Sequence, residues 1–269
     1  MSRIGAVRYL NTKPLIYGLR QRLPECELHF DLPSRLADRL AASDLDVALI
    51  PSVEFLRSED VTIISDACIG CVGPVRSVRI LFRRPASEVK SLALDEGSRT
   101  SAILSQVLLR ERVGCRPELR PFPIESSVSD VDADAVLVIG DRAMNVDVPG
   151  VVDHWDLGQS WHDLTGLPFV FAMWIAPDSY ALNDSLADRR LASALEASRN
   201  AGLSAAAELA EKHHASYGIT EQECLEYFQK HLEFTLGERE LSGLSLFRKM
   251  AIEMNLLPTH SQNLSLQPL

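Results

Sequence analysis

The chain has 269 residues, 46% of them hydrophobic and 24% charged, with a formal net charge of −10 at pH 7. This length suits one large domain or two lobes of ordinary size, and the composition is that of a soluble globular protein. The acidic balance argues against a nucleic-acid partner, and no apolar run reaches membrane-spanning length, so neither nucleic acid nor membrane is an expected partner.

In chain order, residues 4–9 read as the first strand and 14–22 as a helix. Between them lies Tyr9-Leu10-Asn11-Thr12-Lys13-Pro14. A polar loop after a strand end is where an open α/β sheet gathers its ligand contacts. Asn11 can donate and accept together, which suits a substrate hydroxyl, although a turn Asn capping the next helix has the same signature. Residues 26–31 form the next strand. Pro33 then opens a helix through Ala42, where a missing N–H is no loss. Residues 46–50 form a third strand, and Ile50-Pro51-Ser52-Val53-Glu54-Phe55 repeats the strand-end design, which makes Ser52 a candidate ligand contact.

The five cysteines, Cys26, Cys68, Cys71, Cys115 and Cys224, are an odd and scattered set that fits free thiols. Arg3 and Arg8 interrupt any apolar leader, so the expected location is the cytoplasm. Cys68-Ile69-Gly70-Cys71 matches C-x-x-C, yet zinc would need a second ligand pair, and Gly73-Pro74 breaks the helix a redox motif requires. Two buried thiols and no metal site are expected.

Gly73-Pro74-Val75-Arg76-Ser77 stands where the chain crosses into a second α/β unit. Ser77 begins an apolar strand over 77–83 without a G-x-S-x-G elbow, so it reads as a hydrogen-bonding residue, not a covalent nucleophile. A strand over 91–94 leads into Gly97-Ser98-Arg99-Thr100-Ser101 and a helix over 100–111, with Ile103, Leu104, Val107 and Leu108 on one face. The free N–H groups of the first turn, the helix dipole and the hydroxyls of Ser98, Thr100 and Ser101 make an anion site there. Arg99 either assists by charge or pairs with an acid such as Glu96. Ser98 or Thr100 as a simple N-cap accounts for the loop equally well.

Strands over 117–122 and 134–139 follow. The second ends at Ile139-Gly140-Asp141, where Gly140 permits close approach of a ligand and Asp141 is a further candidate contact. Strands over 151–156 and 168–176 complete this unit, and the aromatic residues over 156–174 suit either a pocket wall or a core. His154, His162, His213 and His214 lack metal-ligand spacing and read as structural or solvent-facing. Helical periodicity then covers 186–201, 204–213, 220–232 and 238–255, with a capping box at Thr220-Glu221-Gln222-Glu223. The tail from Leu257 is polar and expected to be mobile.

Strands alternating with helices in two units predict an α/β protein with a two-lobed fold like the type II periplasmic binding proteins and a ligand cleft between the lobes. Residues 1–76 with 177–269 are the expected first lobe and 77–176 the second. The absence of Walker, G-x-G-x-x-G, H-E-x-x-H and kinase motifs argues against nucleotide, flavin and zinc-hydrolase functions.

Taken together, residues 9–15, 48–55, 73–77, 97–101, 138–141 and 156–174 resemble the chorismate dehydratases of the futalosine route to menaquinone. The resemblance extends from the first strand to about Asn255. It implies a two-lobed binding-protein-like fold and a hydro-lyase that converts chorismate, a small dicarboxylate, to 3-[(1-carboxyvinyl)oxy]benzoate without metal or organic cofactor. It also implies that Asn11 and Ser77 are catalytic and that 98–101 bind a substrate carboxylate. The competing expectations are the sister enzyme of the pathway, a 1,4-dihydroxy-6-naphthoate synthase, and a non-catalytic solute-binding protein of the same fold. Neither an amide nor an isolated Ser is a competent base near neutral pH, so the resemblance also makes a substrate carboxylate the expected proton acceptor.

Overall fold

In the computed structural model, residues 2–144, 148–181 and 186–259 are described. The strands are β1 (Arg3–Val7), β2 (Glu27–Asp31), β3 (Val47–Pro51), β4 (Val61–Cys71), β5 (Val78–Phe82) and β6 (Ser91–Asp95). They continue with β7 (Glu118–Phe122), β8 (Ala135–Ile139), β9 (Asp153–Asp156), β10 (Phe169–Pro177) and β11 (Glu233–Thr235). The helices are α1 (Leu19–Arg22), α2 (Pro33–Ala41), α3 (Ser52–Arg57), α4 (Arg99–Val113) and α5 (Leu157–Thr165). After them come α6 (Asp178–Ala181), α7 (Leu186–Ser204), α8 (Ala206–His213), α9 (Glu221–Glu226) and α10 (Glu238–Glu253).

Two mixed sheets carry the two lobes. The first has the order β11-β4-β10-β3-β1-β2, with β1 parallel to both neighbours and β10 antiparallel to β3 and β4. The second has the order β7-β6-β8-β5-β9, parallel across β7-β6-β8 and antiparallel across β8-β5-β9. The central strand β3 is buried at every residue, as a strand covered on both faces must be. One hydrophobic core runs through both lobes, and a smaller one around Leu81, Phe122 and Val136 lies in the second lobe.

The structure corrects the sequence reading at two elements and adds two that it lacked. The strand expected over 168–176 in the second unit is β10, which pairs with β3 and β4 in the first sheet. The long strand β4 has no counterpart in the sequence reading; it holds Cys68 and Cys71, whose odd spacing along regular extended chain places them on opposite faces. The helix expected over 14–22 breaks into one short 3-10 turn, Pro14–Ile16, and α1, because Gly18 adopts a left-handed φ of 68°. The segment after residue 156 is a helix, α5, capped by the Asp156 side chain on the Gln159 N–H. The tail expected to be mobile falls largely on residues 260–269, which lie outside the described residues.

Aromatic packing joins α5, β10 and α10. Trp161 meets Phe169 edge-on at 5.4 Å and Phe247 at 6.1 Å, while its indole N–H donates to the Pro168 carbonyl at 3.0 Å. Each such ring pair contributes about 0.5–1.5 kcal/mol beyond burial of area. A side chain at Gly158 would put its Cβ 2.5 Å from the Cys71 sulfur, so the absence of one lets α5 lie directly on β4. That contact places the Asp156 cap beside the chain crossing at 72–77.

Candidate active site

The β1 end turns at once into a single 3-10 turn, Leu10–Thr12. The Leu10 N–H donates across the lobes to Asp141 Oδ1 at 3.0 Å, which fixes the turn and leaves Asn11 half-buried on a cavity wall. The crossing into β5 is held by Asp156, whose two carboxylate oxygens accept from the Val75 N–H at 3.0 Å and the Arg76 N–H at 2.6 Å. Arg76 adopts φ 64°, an unusual left-handed conformation for a residue with a side chain. The next residue is Ser77, 1% exposed, with its carbonyl accepting from the Gly140 N–H at 2.8 Å.

Tyr227 completes this corner. It opens a π-helical turn, Tyr227–His231, that continues α9, and its hydroxyl donates to Ser77 Oγ at 2.8 Å. The Asn11 side chain also lies near its phenol. Burial holds the Tyr227 hydroxyl far above its ordinary range, so it stays protonated. Widened turns of this kind recur at functional sites.

The cavity itself is bounded by Val7, Tyr9, Asn11, Pro51, Val75, Ser77, Ser98, Ser101, Ile139, Gly140 and Phe171, among others. Phe171 reaches it from a register irregularity between Val170 and Ala172, and a bulge of this kind re-aims a side chain. Gly140 has φ 67°, and a Cβ there would sit 2.9 Å from the Tyr9 ring, so the close approach that glycine permits is to Tyr9. The Tyr9 hydroxyl is buried without a hydrogen-bond partner among the described residues, and burial raises its pKa. A wider groove over α2 and α3 carries Glu54 and Arg57, which pair with each other at 3.5 Å and offer no converging donors.

The mouth of α4 supplies the opposite wall. The Ser98 side chain accepts from the Ser101 N–H at 3.2 Å and donates to Ser101 Oγ at 2.8 Å, leaving the Ser101 proton directed elsewhere. The loop rests on Asp95, whose carboxylate accepts from the Gly97 N–H at 2.9 Å, the Ile139 N–H at 3.3 Å and Arg142 at 2.6 Å.

Of the residues singled out from sequence, Asn11, Ser77, Ser98, Ser101 and Gly140 meet around this one cavity. Ser52, Arg99, Thr100 and Asp141 do not border it. Ser52 donates to the Val170 carbonyl at 2.7 Å. Thr100 accepts from the Val53 N–H at 3.2 Å and so ties α4 to α3. Arg99 turns outward to Asp38 at 2.6 Å and Glu54 at 3.4 Å, while the acid suggested for it, Glu96, faces Arg35. Asp141 serves the Leu10 N–H. Sequence reading missed Tyr227, Asp156 and Asp95. Asp156-Leu157-Gly158-Gln159 does carry a capping pattern; Tyr227 lies 150 positions from Ser77 and carries no local signal.

Asp141 gives a pH-dependent expectation. Burial raises its pKa to about 6, against smaller lowering effects from the Leu10 N–H, Lys13 and Arg8. A carboxylate whose native pKa lies above its unfolded one weakens the fold as it ionises. The penalty is absent below about pH 4 and complete above about pH 6, amounting to on the order of 2–3 kcal/mol. Asp141→Asn should therefore gain stability relative to the parent as pH rises through that window, read as the difference in chemical denaturation midpoints. A difference that stays constant from pH 4 to 7 would refute it.

A family model described as menaquinone biosynthesis matches residues 2–253. A chorismate dehydratase of Thermus thermophilus is 29% identical over 262 residues, covering 91% of this chain and 93% of its own. A solved structure from Archaeoglobus fulgidus matches with a TM-score of 0.74 at 15% identity, covering 95% of this chain and 98% of that one. The periplasmic aliphatic sulphonate binding protein of Escherichia coli matches with a TM-score of 0.62 at 12% identity, covering 96% and 94%. At these identities the structural likenesses carry the fold, which is that of the two-lobed binding proteins. Among the described residues no helix is long and apolar enough to cross a membrane.

Proposed function

Because the chain belongs to the menaquinone biosynthesis family, we propose that it is a chorismate dehydratase, a hydro-lyase that releases water from chorismate and leaves 3-[(1-carboxyvinyl)oxy]benzoate. The observation that carries this reading is the meeting of Asn11 and Ser77, far apart in sequence, on one cavity wall around the Tyr227 hydroxyl. The polar side chains facing that cavity are an amide and hydroxyls. They suit a substrate rich in acceptors: two carboxylates, a ring hydroxyl and an ether.

In the reaction, the hydrogen on the ring carbon bearing the ether leaves as a proton, acidified through the conjugated double bond by the ring carboxylate. The hydroxyl on the neighbouring carbon departs with its bonding electrons, takes up a proton and becomes water, and the ring becomes aromatic. Asn11 and Ser77 are the proposed catalytic residues, holding the departing hydroxyl. Ser98, Ser101 and the free N–H groups of α4 are the proposed carboxylate site. Ser98 acts there by holding Ser101. Among the described residues that border the cavity none is a competent base, so the proton passes to a carboxylate of the substrate itself. The step changes no net oxidation state, so side chains and substrate suffice without a cofactor. Catalysis rests on positioning and on donors arranged in advance. The free state of all five cysteines suits the reducing cytoplasm, where we place the reaction.

Incubating the purified protein with chorismate tests the reading. Loss of the substrate absorbance together with appearance of an aromatic product lighter by one water supports it. Chorismate that binds and returns unchanged would leave a solute-binding protein. The two hydroxyls at the α4 mouth give a second test. Ser101→Ala should weaken binding of 3-substituted benzoates by about 1.5–3 kcal/mol, as expected for loss of a hydrogen bond to a charged group. Thr100→Ala should lower stability by about 1 kcal/mol and leave benzoate affinity nearly unchanged, since its hydroxyl serves the Val53 N–H. Titration calorimetry and thermal unfolding separate the two, and equal losses of affinity would refute the assignment.

A further inference from the structure

We infer that Tyr227 is a positioning residue for the dehydration, acting through Ser77 by fixing the direction of its hydroxyl proton. This deepens the dehydratase reading and rests on it. Tyr227 is 1% exposed and does not border the cavity, so it cannot act on substrate directly. A phenol has one proton, and here it goes to Ser77 Oγ at 2.8 Å. Beside it, Asn11 Oδ1 accepts from the Thr12 hydroxyl at 3.4 Å. The hydrogen bonds therefore run one way: Tyr227 to Ser77, and Ser77 onward into the cavity.

The direction decides what Ser77 can do. A serine whose oxygen already accepts from Tyr227, and whose single proton is claimed by none of the described residues, presents a donor to whatever occupies the cavity. A donor is what a departing hydroxyl needs as charge gathers on its oxygen. With the opposite polarity, Ser77 would give its proton to Tyr227 and offer the leaving group only lone pairs. The phenol keeps its own proton throughout, because burial raises its pKa and the neighbouring Ser77 and Asn11 side chains only partly offset that rise. Linked hydrogen bonds also polarise one another, which strengthens the terminal donor.

The geometry is held from both ends. Asp156 grips the backbone immediately before Ser77, and the Ser77 N–H donates to the Val75 carbonyl at 2.8 Å. With the serine backbone fixed on one side and the tyrosine seated in the π-helical turn on the other, the hydroxyl has little freedom to rotate.

The test compares Tyr227→Phe, Ser77→Ala and the double variant with the parent enzyme on chorismate. Tyr227→Phe keeps the ring and removes only the hydroxyl. It should lower kcat by about 10- to 100-fold with KM changed by less than about threefold, because the interaction lost is made in the transition state. In the Ser77→Ala background, followed over long incubations, the same change should cost less than about twofold, since residues acting as one unit are not additive. The pair of results supports the inference. A Tyr227→Phe enzyme with parent kcat overturns it, and so does a full additional loss in the Ser77→Ala background, which marks a role independent of Ser77. If the parent protein does not turn chorismate over, the dehydratase reading falls and this inference falls with it. An active parent with an unaffected Tyr227→Phe variant removes this inference alone.

Discussion

With Asn11 replaced by alanine, turnover of chorismate is expected to fall by about 10²–10³-fold, the range seen when one aligned donor is removed from an active site. The fold should survive. Asn11 is half-buried on a 3-10 turn whose anchor is the backbone bond from Leu10 to Asp141, and that bond does not involve the amide. The effect should fall on kcat more than on KM, because the residue is proposed to hold the group that departs. Steady-state kinetics with a thermal melt on the same preparation checks both halves. A variant that turns over chorismate at the parent rate would make Asn11 an ordinary turn residue.

The second large effect is on stability. Asp95→Ala is expected to destabilise the protein by about 3–5 kcal/mol, the usual result of breaking a buried ion pair. The Asp95 side chain is fully buried and Arg142 contacts it at 2.6 Å. Burial nonetheless raises the Asp95 pKa, so desolvation outweighs the attraction of its partner. The ionised pair is therefore no net gain over a neutral one. What alanine removes is the acceptor for the Gly97 and Ile139 N–H groups and for Arg142, all of which are left behind. Asp95→Asn keeps the size and one acceptor oxygen and should lose clearly less. Denaturant unfolding of the two variants measures the difference, and an alanine variant within 1 kcal/mol of the parent would contradict the assignment.

Much of this fold is legible in the chain because its strands and helices carry unmixed signals. Val47–Pro51 and Ala135–Ile139 are continuous apolar runs, and Pro33 and Thr220 mark helix starts by local chemistry. What local chemistry cannot convey is partnership. Phe169–Pro177 has the composition of any buried strand, and only pairing with β3 and β4 places it in the first sheet. The same holds at the site. Asn11, Ser77, Ser98, Ser101 and Gly140 stand at strand ends, where sequence order already suggests ligand contacts. Ser52 and Thr100 stand at such positions too, yet their hydroxyls have intramolecular partners that no spacing rule foretells. Tyr227 shows the converse. Nothing near it in the chain marks it, and its importance lies in which proton it gives to a serine 150 residues away.

The outward turn of Arg99 has a kinetic consequence. Together with the Val53–Thr100, Ser34–Gly97 and Leu10–Asp141 hydrogen bonds, its ion pairs to Asp38 and Glu54 fasten one lobe to the other beside the cavity. A reactant that enters only when these fastenings part waits for them, and its product waits again. Encounter is then limited by the fraction of time the molecule stands open, and apparent affinity falls by that same fraction. The Arg99 pairs lie partly in water, where dissolved salt screens them. Ionic strength thus becomes a control on traffic through the cavity while leaving the interior donors untouched.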